Sequence, residues 1–210
     1  MARTRDEAAR RRVLGSARKL VSQLGPHAVT VDEIAGAARV GKQTIYRWWP
    51  SKSAVIMDAL IELTDPEPDD LPDSTYEAIR LQMRRVARMF SSRNGDLIRE
   101  LVADAQGDPG VARDFRDRFF AHRRARGEAT IARGVENGEL RADLDVDDAL
   151  DLLYSPLWLR LLIGHGKTSQ AAADRLFGLA WPALSADHPS GQPAGQQRAP
   201  RSPRRTPPVS

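Results

Sequence analysis

The chain has no cysteine among its 210 residues, which excludes a disulfide framework and any thiolate metal site and fits a reducing cytoplasm. A long apolar run is also missing. The greasiest stretch, Leu157 to Ile163, is interrupted by Arg160 and is far too short to span a bilayer. No apolar segment follows the arginine-rich start, so a signal peptide is not expected and no membrane partner is either. β-type alternation of useful length is absent, as is any internal repeat, which leaves an all-α reading. Catalytic signatures are equally scarce. His27, His122, His165 and His188 are scattered without metal-ligand spacing, and no phosphate-binding glycine loop or nucleophile motif occurs. Asp143, Asp145 and Asp147 begin like a calcium loop, but Asp148 stands where glycine is needed and Tyr154 where glutamate is needed. Asp145, Asp147 and Asp148 read better as a helix cap and first-turn acids. The expectation is a protein that is not an enzyme and needs no cofactor or metal.

What is present is unevenly distributed charge. Residues 1–60 carry a net +6, residues 61–185 a net −5 and residues 186–210 a net +3, within a formal +4 for the chain. A basic head on an acidic body suits a head that meets phosphate. The helical periods divide the chain in the same way. Thr4 with Glu7 is a candidate capping box for a first helix, whose inward face is Val13, Leu14, Ala17, Leu20, Val21 and Leu24 up to Gly25-Pro26. The acidic, proline-containing TDPEPDDLPD, with Asp69, Asp70 and Asp73, reads as a solvated boundary. We therefore expect a head over 1–64, a helical body over 65–184 and a disordered tail over 185–210.

The most informative segment is TVDEIAGAARVGKQTIYRWWPSKSAVIMDALIEL, from Thr30 to Leu63. Thr30 and Glu33 form a capping box, and Ile34, Ala35 and Ala38 turn inward. After Val40-Gly41 a second helix carries Lys42, Gln43, Thr44, Tyr46, Arg47 and Trp48, with Ile45 and Trp49, four apart, facing the core. Ser51 caps a further helix that buries Val55, Ala59, Leu60 and Leu63, and the free amides at its start point toward an anion. This is the layout of a helix-turn-helix, whose second helix enters a DNA major groove. Trp49 already fills the inward position, so Trp48 is expected to be exposed. Arg10, Arg11 and Arg12 read equally as solvated or as phosphate-binding side chains.

TIYRWWPSK followed by an apolar helix resembles the DNA-binding domain of the TetR family of bacterial transcriptional regulators. The resemblance implies that Lys42, Gln43, Thr44 and Trp48 reach base edges, Trp48 by apolar contact to a thymine methyl or sugar, with packing as its alternative. It implies phosphate contacts for Tyr46, Thr30 and Lys52, while Arg47 stays open between phosphate and an outward salt bridge. One departure stands out. Arg39 holds the turn position where the family has glycine, and Gly41 holds a position usually given to a small polar cap. Either Arg39 adopts a left-handed conformation or the turn is rebuilt around Gly41.

Beyond the boundary, Ser74 and Glu77 make another candidate capping box ahead of Tyr76, Ile79, Met83, Val86 and Phe90. Leu97, Ile98, Leu101 and Val102 mark a shorter helix. A long helix from about Val111 places Phe115, Phe119, His122, Ala125, Ala129 and Ala132 on one stripe. Two last helices span Val146 to Ile163, with Pro156 expected to kink it, and Thr168 to Leu184. The GVENGELRADLDVDDALDLL segment and Arg160 resemble one subgroup of the family more loosely. By resemblance, the last two helices pair with those of a second copy, through Leu157, Trp158, Leu161, Leu176, Phe177, Ala180, Trp181 and Leu184. By resemblance too, the body encloses a small apolar effector, for which Met83, Phe90, Phe119, His122 and Tyr154 are candidates; each also reads as ordinary core. The implied protein is a cytoplasmic homodimer on a palindromic duplex DNA operator, a repressor released by that effector. The alternative is a helical ligand-binding or interaction module without a specific operator. An unnoticed hydrolase is a third reading, with His122 its test.

Overall fold

The computed structural model describes residues 2–64 and 71–187, with side chains from Glu7 onward. The Thr4 side chain, the connector acids Asp69 and Asp70, His188 and most of the expected tail lie outside the described residues. Helices are the only extended regular elements among those described, and a lone β-bridge joins Leu140 to Ser185. No described helix is long and apolar enough to cross a membrane.

The head is built from α1 (Ala2–Leu24), α2 (Val31–Ala38) and α3 (Lys42–Trp48). Val13, Leu14, Ala17 and Val21 bury one face of α1. Leu24, expected inward, is half exposed, because the helix ends there and the chain leaves through Gly25 at φ +84°. Helix α4 (Lys52–Thr64) starts where the Ser51 hydroxyl accepts the Ala54 amide at 2.9 Å. It is buried nearly all round, from Ala54 to Met57 and at Ala59 and Leu60, because α1 packs on one side and the body on the other.

The body contains α5 (Thr75–Phe90), α6 (Arg93–Gly107), α7 (Pro109–Asp114), a π-helical turn (Phe115–Phe120), α8 (Ala121–Glu136), α9 (Val146–Ile163) and α10 (Gln170–Leu184). Ser74 accepts from the Glu77 amide, but the reciprocal half of the expected box is missing. Glu77 turns to Arg80 instead, and Glu139 takes the Thr75 amide at 2.9 and 3.0 Å. Those hydrogen bonds hold the Glu139 carboxyl below its usual range.

The π turn corrects the expected stripe. Each α-helical residue advances about 100°, so an extra residue in one turn rotates everything after it. Phe119 is fully buried before the shift takes effect, whereas His122, Ala125, Ala129 and Ala132 face solvent. Gly127, Thr130, Ile131 and Gly134 take the inward positions. At the other end, the fold continues one step beyond the expected boundary. Ser185 is buried, and the Ala186 amide donates to the Glu139 carbonyl at 3.0 Å.

Candidate nucleic-acid interface and the cavity behind it

The capping box at Thr30 forms in full. Its hydroxyl oxygen accepts the Glu33 amide at 3.2 Å, and its own amide donates to Glu33 Oε2 at 2.8 Å. At the other end of α2, Arg39 adopts the left-handed conformation, with φ 55° and ψ 50°. The Val40 amide donates to the Ala35 carbonyl at 3.0 Å and the Arg39 amide to Gly36 at 3.2 Å, the double closure that normally recruits glycine. Gly41 is extended, at φ −74°, and needs no glycine-only geometry. The turn is therefore closed on Arg39 and not rebuilt around Gly41.

Helix α3 is pinned by Ile45 and Trp49, both buried. Lys42, Gln43, Tyr46 and Arg47 are exposed beside half-buried Thr44. Lys42 Nζ lies 2.7 Å from Asp32 Oδ1, a pair open to solvent that raises the lysine's pKa. Lys52 is exposed, with Nζ 3.4 Å from the His27 carbonyl. Trp48 departs from expectation. It is half-buried, its ring lies between the Arg10 and Arg47 guanidiniums at 5.8 and 5.9 Å, and its indole N–H meets no acceptor among the described residues. Arg10 also lies 5.7 Å from the Trp49 ring. The passage of α1 over both indoles covers a face that sequence spacing alone leaves open.

A polar clasp ties this head to the body. Trp49 Nε1 donates to Asp58 Oδ2 at 2.8 Å, and Arg118 Nη1 donates to Asp58 Oδ1 at 3.2 Å. Arg118 also lies 3.6 Å from Asp114, whose other oxygen accepts from Ser51 at 2.6 Å and from Ser53. Asp114 thus stands at the start of α4, where the sequence suggested an external anion. The end of α3, α4 and the π turn share one hydrogen-bonded chain. No sequence spacing announces it, because its members lie about sixty residues apart.

Behind the clasp lies a cavity of about 540 Å³. Leu63 and Thr64 at the end of α4 line it, with Val86, Met89 and Phe90 from α5, Phe120 from the π turn, and Leu150, Tyr154 and Trp158 from α9. Of the residues singled out from sequence, Phe90 and Tyr154 line this space. Met83 and Phe119 are fully buried elsewhere in the core, and His122 faces out. Phe90 and Trp158 meet edge to face at 4.8 Å. Tyr154 donates to Gln82 Oε1 at 3.3 Å, and desolvation pushes its pKa up. Arg123 donates to Thr64 Oγ1, joining the cavity wall to the end of α4.

Comparison with known proteins follows the same division. The family model for bacterial regulatory proteins of the tetR family matches residues 13–59, and that for the tetracyclin repressor-like C-terminal domain matches residues 71–180. The Bacillus subtilis HTH-type transcriptional regulator YdeS is 41% identical over 162 residues, covering 77% of this chain and 82% of its own. The chain belongs to the TetR family of bacterial transcriptional regulators. A crystal structure of the TetR family regulator SCO0332 is 29% identical with a TM-score of 0.72, covering 82% of this chain and 96% of that one. Bacillus subtilis FadR, solved with stearoyl-CoA, shares the fold at 16% identity and a TM-score of 0.56, covering 80% and 96%.

In this TetR-family chain the residues expected to pair with a second copy are turned inward. Leu157, Leu161, Phe177, Ala180 and Leu184 are buried in the chain's own core. Phe177 and half-buried Trp181 pack on Tyr76 of α5, with centroids 4.9 and 5.0 Å away. Leu176 is half-buried, and Trp158 faces the cavity. The apolar positions left open on α9 are Leu152, Leu159, Leu162 and Ile163, 47%, 54%, 39% and 68% exposed, and on α10 Leu179, 80% exposed.

Proposed function

We propose that this regulator is a cytoplasmic homodimeric repressor that binds a palindromic operator and leaves it when a small molecule occupies the cavity. One observation carries the DNA reading: the polar and basic face of α3 is open to solvent while Ile45 and Trp49 anchor its back. Lys42, Gln43 and Thr44 are the base-reading candidates, with Lys42 exchanging Asp32 for a base edge. Tyr46, Arg47, Thr30 and Lys52 surround that face as backbone contacts. Trp48 supports the helix and leaves only its open edge to a sugar or thymine methyl.

One such helix reads few base pairs, so twofold pairing is required for a specific site. The unpartnered stripe of Leu152, Leu159, Ile163 and Leu179 supports pairing through α9 and α10, with their buried faces completing the monomer. The effector reading rests on the cavity and its neighbours. A ligand touching Leu63, Thr64 and Phe120 acts on α4 and the π turn, the two elements the clasp fastens to Trp49. It favours release to the extent that it binds the DNA-free arrangement more tightly, typically by ~1–3 kcal/mol. The test is a titration against duplex DNA at several salt concentrations. Replacing Tyr46 or Lys52 weakens all sequences alike and lowers the salt slope by about one per lost contact. Replacing Gln43 relaxes preference at particular base pairs; uniform weakening there contradicts the assignment.

A further inference from the structure

Every charge lining the cavity already has a partner. Asp151, the one carboxylate of the described lining, lies 3.0 Å from Arg124, which Asp147 holds as well. Arg123 donates to Thr64 and lies over the Phe119 ring at 4.8 Å. Arg85, Arg88 and Arg126 are engaged too. An ionised ligand would give up water here and find no free counter-charge. What the space offers instead is aromatic surface from three elements: Phe90 of α5, Phe120 of the π turn, and Tyr154 and Trp158 of α9. Trp158 is the common neighbour, its ring centroid 4.8 Å from that of Phe90 and 6.4 Å from that of Phe120.

The polar group among these rings has a fixed direction. Thr130 Oγ1 donates to the Arg126 carbonyl at 3.1 Å, and a carbonyl can only accept. The Thr130 hydroxyl has no second proton, so its contact with Gln82 Nε2 at 2.9 Å is a donation by the amide. Gln82 therefore turns its oxygen to Tyr154, whose hydroxyl donates to Oε1 at 3.3 Å. Desolvation raises the Tyr154 pKa and keeps that proton in place. The phenolic oxygen is left with lone pairs alone, and Tyr154 and Gln82 both line the cavity. Such an oxygen pairs with a ligand that donates and gains nothing from one that only accepts.

We propose that the cavity selects a neutral aromatic compound carrying a hydroxyl or N–H donor, its rings against Phe90 and Trp158 and its donor on the Tyr154 oxygen. Aromatic rings favour the edge-to-face and offset contacts that this wall provides, and 540 Å³ suits a small organic ligand. The inference rests on the effector reading above and specifies the ligand that reading leaves open.

The experiment is calorimetric titration of the full-length protein at neutral pH with four probes sharing one ring system: naphthol, methoxynaphthalene, naphthoate and naphthylmethylammonium, each substituted at the same ring carbon. Naphthol should bind roughly fivefold or more tightly than its methyl ether, which cannot donate, and more tightly than either ion. Tyr154→Phe should bring the naphthol-to-ether ratio near one. Thr130→Val should lower it as well, because Gln82 is then free to turn its N–H toward Tyr154 and let the phenol donate to the ether. Thr130 lies outside the lining, so a preference of purely steric origin would not change there. A ratio that either substitution leaves unmoved, or an ion as the tightest ligand, overturns the donor selection and leaves an effector cavity standing. Failure of all four probes overturns both.

Discussion

Arg39 sits where the backbone favours glycine. Its φ of 55° and ψ of 50° place a side-chain-bearing residue in the left-handed region, the sole such case among the described non-glycine residues. That conformation costs about 1–2 kcal/mol for an L-residue. Glycine removes the cost but returns roughly 0.4–1 kcal/mol through the greater freedom of its unfolded chain. Arg39→Gly should therefore stabilise the protein by about 0.5–1 kcal/mol, raising the melting temperature by about 1–4 °C for a chain of this size. Arg39→Ala is the control, since it deletes the same exposed charge and keeps the strain. Thermal unfolding followed by circular dichroism should place glycine above alanine by about 1 kcal/mol. Operator affinity of the two variants should agree, because both close α2 on the same turn and so tilt α3 alike. Alanine equal to glycine in stability, or glycine below the parent, refutes the left-handed turn.

Three further outcomes test other parts of the structure. In a double-mutant cycle, Arg118→Gln and Asp58→Asn should couple by at least about 0.5 kcal/mol in unfolding, as members of one network do; strict additivity breaks the clasp. A Cβ on Gly95 would lie 2.2 Å from the Phe90 carbonyl oxygen, so Gly95→Ala should cost about 1–3 kcal/mol through overpacking, and an unchanged melting temperature counts against that approach. Glu139 is held below the ordinary carboxyl value of 4.5 by the Thr75 amide, so its contribution is present above that value and lost as pH falls through the lower folded one. The parent should then lose stability more steeply than Glu139→Gln below about pH 4.5, and parallel acid-unfolding curves contradict the cap.

Features set by neighbours in sequence were legible before the fold was known. The Thr30–Glu33 box, the Asp145 cap accepting from the Asp148 amide at 3.0 Å and the span Val146–Ile163 needed only local spacing. So did the inward turn of Ile45 and Trp49. What failed depended on distant segments or on a break in period. An unbroken α-helical count puts His122 on the inward stripe, as pocket lining or as core, and the π turn between Phe115 and Phe120 changes that count. Trp48 seemed free because nothing near it in sequence covers it, while Arg10 of α1 does. Phe177 and Trp181 looked available for a second copy because Tyr76, about a hundred residues earlier, is what they meet.

In the proposed complex the open face of α3 lies in duplex DNA, presented twice by a dimer joined through α9 and α10. Selection of bound sequences from a random duplex pool by the full-length protein tests it most directly. An inverted repeat should be enriched, with half-site preferences that shift when Gln43 is replaced. Enrichment of nothing, or of a single site without twofold symmetry, contradicts it.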